Sequence, residues 1–274
     1  MKFYLTLVLF LSIHSQLTAN WVRAKGETLL NFNISTLGSD QYYNPAGNKV
    51  KITKFREFNA DVYAEYGVTE RFTTGLYFPY LKSLSWDAVP LTNTAASTYT
   101  GIGDLSLIER YQFASWKNMV FSAEMIFGIP TGNSTEPNLL LTGDGEFNFL
   151  PRLSAGIGLG VINGYSIIYS GFNKRTRGFS DEFHAGIELG ATVWPKTVIL
   201  TLRSQVVQSL KNGDSVATSN SALVANNISF VSLSVGSIVT ITPSMGMLLN
   251  VTTAFLAKNI IASLNYSAGY YIKF

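Results

Sequence analysis

Residues 260–274 read IIASLNYSAGYYIKF, and the order of side chains in this stretch decides the fold. Ile260, Ala262, Leu264, Tyr266, Ala268, Tyr270, Ile272 and Phe274 fall on one face of an extended chain. Ile261, Ser263, Asn265, Ser267, Gly269, Tyr271 and Lys273 fall on the other. Successive side chains of a strand point to opposite faces, so the stretch is a strand with one greasy and one mostly polar side. The same period of two recurs upstream. Phe58, Ala60, Val62, Ala64 and Tyr66 alternate with Glu57, Asn59, Asp61, Tyr63 and Glu65. Phe183, Ala185, Ile187, Leu189, Ala191 and Val193 alternate with Glu182, His184, Gly186, Glu188, Gly190 and Thr192. Thr28, Leu30, Phe32 and Ile34 do the same against Leu29, Asn31, Asn33 and Ser35.

A sandwich would bury the greasy faces between two sheets, whereas a membrane barrel turns them outward to lipid. Three features favour the barrel. The segments run about 10 to 14 residues, as a tilted span of the hydrocarbon requires, against the five or six usual in soluble sheets. Aromatic residues (Phe72, Phe78, Tyr80, Tyr111, Phe113, Tyr270 and Phe274) mark the ends of the apolar faces, as interfacial girdles do. Short and long connections alternate. The pattern predicts strands over 25–37, 50–66, 72–81, 102–113, 119–130, 145–157, 164–174, 181–194, 197–207, 227–241, 245–254 and 259–274. It also predicts longer connections at 38–49, 82–101, 131–144 and 208–226. The expected fold is all-β: a single transmembrane antiparallel barrel of about 12 strands in up-and-down order, with both termini on the periplasmic, short-turn side. The sixth and seventh strands are blurred by Gly156, Gly158, Gly160 and Gly164. Glu109 breaks the pattern, because strict alternation aims it at lipid. A bulge, or a place near the headgroups, would each resolve this.

Composition narrows the function. With 47% hydrophobic and only 14% charged residues, the chain is too apolar for disorder. It has no cysteine, which excludes disulfides, thiolate metal sites and a thiol nucleophile. The net charge of +3 forms no basic stripe for nucleic acid. Residues 1–19 read as a secretory leader: Lys2, an apolar run from Phe3 to Ile13, then Leu17-Thr18-Ala19 before the cut. The expected organisation is therefore a signal peptide over 1–19 and a barrel over 20–274, exported to a Gram-negative outer membrane. Beyond the leader, no stretch is apolar for eighteen residues, so no spanning helix is expected.

Twelve strands spaced ~4.8 Å apart and tilted ~40° give a backbone radius of roughly 12 Å, enough for a narrow lumen. The inward set predicted by alternation is Glu57, Asp61, Glu65, Arg110, Glu124, Glu146, Arg152, Glu182, His184, Glu188, Arg203 and Lys273. Carboxylates outnumber bases in it. These groups either line a permeation path or pair into a plug, since buried charges must pair or stay wet. An enzyme is not expected. After the leader the chain has one histidine, His184, with no serine motif around it, and it reads as a lumen residue bonded to Glu182 or Glu188. No catalytic, cofactor or metal residues are assigned.

Several segments resemble known barrels. Ser267, Gly269, Ile272 and Phe274 resemble the C-terminal insertion signal of bacterial outer-membrane proteins, which implies recognition by the barrel-assembly machinery through Gly269, Ile272 and Phe274. Gly101-Ile102-Gly103-Asp104-Leu105 followed by Glu109-Arg110-Tyr111 resembles a strand of the outer-membrane family named for the MetA pathway of phenol degradation. So do Phe127-Gly128-Ile129-Pro130-Thr131-Gly132, Gly143-Asp144-Gly145-Glu146, and the pair Asp181-Glu182. The turn Tyr66-Gly67-Val68-Thr69-Glu70-Arg71-Phe72 resembles one common to many such barrels. The resemblance spans most of residues 50–194. It implies an outer-membrane channel or facilitator for small, hydrophobic or aromatic, solutes, with lipid and a small molecule as partners. The alternative is a structural or adhesive barrel with a closed lumen, whose outer loops at 82–101 and 208–226 bind a partner.

Overall fold

The computed structural model describes residues 21–88, 95–135, 140–194, 197–214 and 226–274. Its strands are β1 (Thr28–Tyr43), β2 (Lys49–Thr69), β3 (Phe72–Trp86), β4 (Ser97–Gly101), β5 (Leu105–Trp116), β6 (Met119–Ile129), β7 (Asn148–Leu159), β8 (Gly164–Arg175), β9 (Glu182–Trp194), β10 (Val198–Ser209), β11 (Ser229–Thr242), β12 (Met245–Lys258), β13 (Ile260–Ile261) and β14 (Leu264–Lys273). β4 and β5 both pair with β3 and form one stave, interrupted around Gly103. β13 and β14 both pair with β1 and form another. The result is a closed barrel of twelve antiparallel staves in meander order. β1 closes it by pairing with β14 on one side, Ile34 opposite Ala268, and with β2 on the other, Ile34 opposite Ala60. Closure leaves no free backbone edge, and lipid, which offers no hydrogen bonds, demands that.

The two faces separate as the alternation predicts. Phe32, Ile34, Phe58, Leu107, Phe183, Leu189, Leu200, Val235, Leu249 and Tyr266 are exposed on the outer wall. Glu65, Arg110, Glu124, Glu188 and Ser234 are buried on the inner one. Two small apolar clusters also lie inside. Leu29, Ile238 and Tyr271 meet at the short-turn end, and Phe55, Leu84 and Leu140 at the long-loop end.

Several boundaries move. The connection expected over 38–49 shrinks to 44–48, because β1 and β2 keep pairing out to Tyr43 and Lys49. Above the membrane both faces meet water, so the ladder continues without a greasy side to announce it. Half of the connection expected at 82–101 is likewise strand, since β3 runs to Trp86 and β4 occupies Ser97–Gly101. The sixth predicted strand starts at Asn148, not at 145, and a 3₁₀ turn over Gly160–Ile162 separates β7 from β8. Its last contact is made by Asn163 in the left-handed region, φ 44°. Residues 21–27, of which the last three were predicted as strand, are not part of the wall. The leader at 1–19 lies outside the described residues, as do 89–94 and 215–225 of the loops.

Glu109 faces outward. It sits opposite Thr74 and Met125, with no bulge between it and inward Arg110. The Thr74 hydroxyl donates to it at 2.9 Å. It lies one outward position from the aromatic pair Phe72–Tyr111 near the short-turn rim, where a charge on the lipid face costs least.

Candidate functional site

The lumen gathers the buried charged side chains of the staves. At its centre runs an ion-pair spine. Arg110 on β5 donates to Glu65 on β2 at 2.8 Å and to Glu124 on β6 at 2.8 and 3.1 Å. Arg152 on β7 donates to the other Glu124 oxygen at 2.8 Å and lies over the Tyr169 ring at 4.7 Å. The Tyr63 hydroxyl donates to Glu65 at 2.5 Å. Further round the wall, Arg203 and the Tyr165 hydroxyl each donate to Glu188 at 2.6 Å. Such forked contacts suit the planar guanidinium.

A second cluster caps the lumen towards the long loops, and its hub is Arg175 at the end of β8. Arg175 donates to Glu182 at 2.7 Å and to Glu146, and its third nitrogen lies 3.5 Å from Asp144. His184 bonds the second Glu182 oxygen at 2.9 Å. Glu146, expected on a strand, reaches this cluster from the loop before β7. That loop folds inward, so Leu140, Leu141, Thr142 and Glu146 are buried. Asp104 holds it in place, accepting from the backbone N–H of Gly132 at 2.9 Å and of Asp144 at 3.1 Å. A carboxylate bridging two loop amides in this way acts as an N-cap does, satisfying donors that a strand would otherwise pair.

Against the cap lies a cavity of about 270 Å³ lined by Asn59, Tyr77, Pro79, Lys82, Asp104, Thr142, Asp144 and Arg175, among others. It abuts the interruption between β4 and β5, where the Gly103 N–H bonds the Pro79 carbonyl at 2.8 Å. Glu57 and Asp61 share the β2 inner face with Asn59. Glu57, Asp61, Asp104 and Lys82 form no ion pair among the described residues, unlike the spine below. Asn31 and Asn59 each bury an amide oxygen without a protein partner among the described residues. Groups of this kind are served by water or by a solute.

The predicted inward residues thus divide three ways. Glu65, Arg110, Glu124, Arg152, Glu188 and Arg203 form the belt. Glu146, Glu182 and His184 join the cap. Glu57 and Asp61 accept from the amides of Asn59 and Asn33 at 2.6 and 3.0 Å and have no cation partner among the described residues, and Lys273 lies opposite inward Leu29 at the short-turn end. Sequence reasoning missed Arg175, Asp104 and Arg23. The surplus of carboxylates in the inward set was the available signal, since each surplus acid needs a cation from outside the strand interiors.

Burial pushes the Glu146 carboxyl up to about 8, against the pull of Arg175 and with the Asp144 carboxylate adding to the rise. A carboxyl raised in the folded state binds more protons there, so its contribution is lost as pH climbs from the unfolded value towards 8. Docking of the 140–146 loop is therefore expected to weaken between about pH 5 and about pH 9. Amide exchange at Gly143 and Asp144, corrected for intrinsic rates, measures this. Glu146→Gln should flatten the dependence, and an equally steep profile in that variant would refute the assignment.

The short-turn end is occupied by residues 21–26. Arg23 donates to Glu65 at 2.6 Å, and its backbone N–H donates to the Thr73 hydroxyl at 2.7 Å. The Trp21 ring packs edge-on to Tyr165, centroids 6.0 Å apart.

No family model matches the chain, and no curated protein matches it. Solved structures do. A COG4313 outer membrane channel from Pseudomonas putida F1 superposes with a TM-score of 0.70 at 15% identity, covering 92% of this chain and 97% of that one. The KdgM porin in complex with disordered oligogalacturonate superposes at 0.53 with 6% identity, covering 90% and 99%. At such identities the likeness is one of fold: this chain has the barrel architecture that solved outer-membrane channels use.

Proposed function

We propose that the chain is an outer-membrane channel or facilitator for small solutes, hydrophobic or aromatic ones included, and not an enzyme. The observation that carries this is a closed barrel with an apolar outer wall around a polar lumen holding a cavity of about 270 Å³. A cavity of about 150 Å³ already admits benzene, so this one has room for a single substituted ring. The Asn59 amide and the Lys82 ammonium on its lining offer an acceptor and a donor to a solute's polar edge, while Pro79 and Tyr77 offer a flat apolar side. The barrel folds of the P. putida and KdgM channels support the same reading and the same membrane. Export by removal of residues 1–19, and assembly through Gly269, Ile272 and Phe274, belong to this proposal.

Reconstituted liposomes test it. Swelling is expected in arabinose and in benzoate, and none in a tetrasaccharide. No swelling in any small solute, together with silence in planar bilayers, would overturn the reading.

A second reading, a structural or adhesive barrel, draws on the contacts that cross both ends of the lumen. In it the bilayer stays silent for the wild type, and current appears only in Glu124→Ala or Arg152→Ala.

A further inference from the structure

We propose that residues 21–26 are a strap that gates the short-turn end of the lumen, and that its undocking opens the conduction path. The inference rests on the channel reading above.

The strap crosses the barrel instead of lying along one wall. Near β1 it is held by β2: the Gly26 N–H bonds the Gly67 carbonyl at 2.8 Å. At its other end Trp21 reaches β7 and β8, where it packs on Tyr165. β8 is the seventh stave and β1 the first, so in a twelve-stave barrel they face each other across the lumen. A segment anchored on both walls blocks the space between them.

The wall is cut to receive it. A Cβ on Gly67 would fall 2.0 Å from the Ala24 carbonyl oxygen, and one on Gly156 would fall 3.2 Å from the Trp21 indole. A side chain at Gly67 would lift the strap from its seat, and one at Gly156 would press on the indole. The berth is also built for release. Arg23 is not the sole partner of Glu65, which keeps its 2.8 Å bond from Arg110. When Arg23 leaves, no carboxylate is stranded, and the departing guanidinium enters water. The penalty that normally fixes a buried ion pair is therefore small here. A short segment outside the strand ladder is the kind of unit that opens locally while the barrel stays folded.

The full chain in planar bilayers tests this, with a heat-modifiable gel band as the control for folding. Trp21→Ala/Arg23→Gln is expected to raise open-state occupancy about tenfold, as loss of an aromatic contact and a charged hydrogen bond implies. The chain is free of cysteine, so a pair introduced by Arg23→Cys/Thr73→Cys has no competitor. The 2.7 Å contact between the Arg23 N–H and the Thr73 hydroxyl brings these positions within disulfide reach. Oxidised, this variant should be nearly silent. Dithiothreitol should open it and leave the wild type unchanged. If oxidised and reduced forms conduct alike while the wild type conducts, the gate is wrong and the channel stands. If the wild type and every variant are silent, the channel reading falls and the gate with it.

Discussion

Replacing Arg110 by Ala should destabilise the barrel by about 3–5 kcal/mol, the cost of breaking a buried pair from one side. The residue is 2% exposed and bonds two carboxylates on different staves, Glu65 and Glu124, which are also nearly fully buried. Arg23 and Arg152 still reach those acids, which sets the lower end of the range. Arg110→Lys should recover little, because one ammonium cannot fork towards two acids as a guanidinium does. Urea unfolding of the protein in detergent or lipid measures both. A loss below about 1 kcal/mol, the size of an exposed pair, would mean that the spine is solvated and holds nothing together.

Val235→Arg should cost about 2–4 kcal/mol, and Ile241→Arg on the same strand face only about 0–1. Val235 lies within β11 opposite Leu202 and Val251, and Ile241 lies at the short-turn rim. Both are more than half exposed. In a water-soluble protein, arginine at either exposed position would be harmless, so only a surrounding bilayer makes the cost depend on depth. Folding yields and unfolding free energies in lipid vesicles read it out. Equal and small effects at the two positions would contradict the membrane placement.

The barrel was legible in the sequence because lipid enforces alternation. Wherever a strand faces hydrocarbon on one side, one residue in two must be apolar, and stretches such as 183–193 show this directly. Legibility stopped where that force stops. The outer ends of β1 and β2 meet water on both sides, so Ser39, Asp40 and Lys49 read as loop although they extend the ladder. The charged interior was legible as a set, since a charge within the hydrocarbon span has to face inward, while the rims tolerate Glu109 at the short-turn end and Lys54, Arg56 and Lys174 at the other. Its wiring was not legible. Arg175 and Asp104 sit at strand ends, where sequence cannot separate an inward hub from a rim residue. The strap has no period at all, because it is seated by scattered contacts of Trp21, Arg23, Ala24 and Gly26 and has no alternating face. In the inward loop, Leu140-Leu141 within a run of Gly, Asn and Thr was the one sign that a polar connection carries something to bury.

Spin labels placed singly at residues 233–238 of β11 probe the central claim most directly, through their collision rates with oxygen, which concentrates in lipid, and with a water-soluble nickel chelate. Labels at Leu233, Val235 and Ser237 are expected to meet oxygen, those at Ser234, Gly236 and Ile238 the chelate or neither, with a strict period of two. Oxygen access lacking that period, or greatest at the Ser234 side, would contradict a lipid-facing apolar wall around a polar lumen.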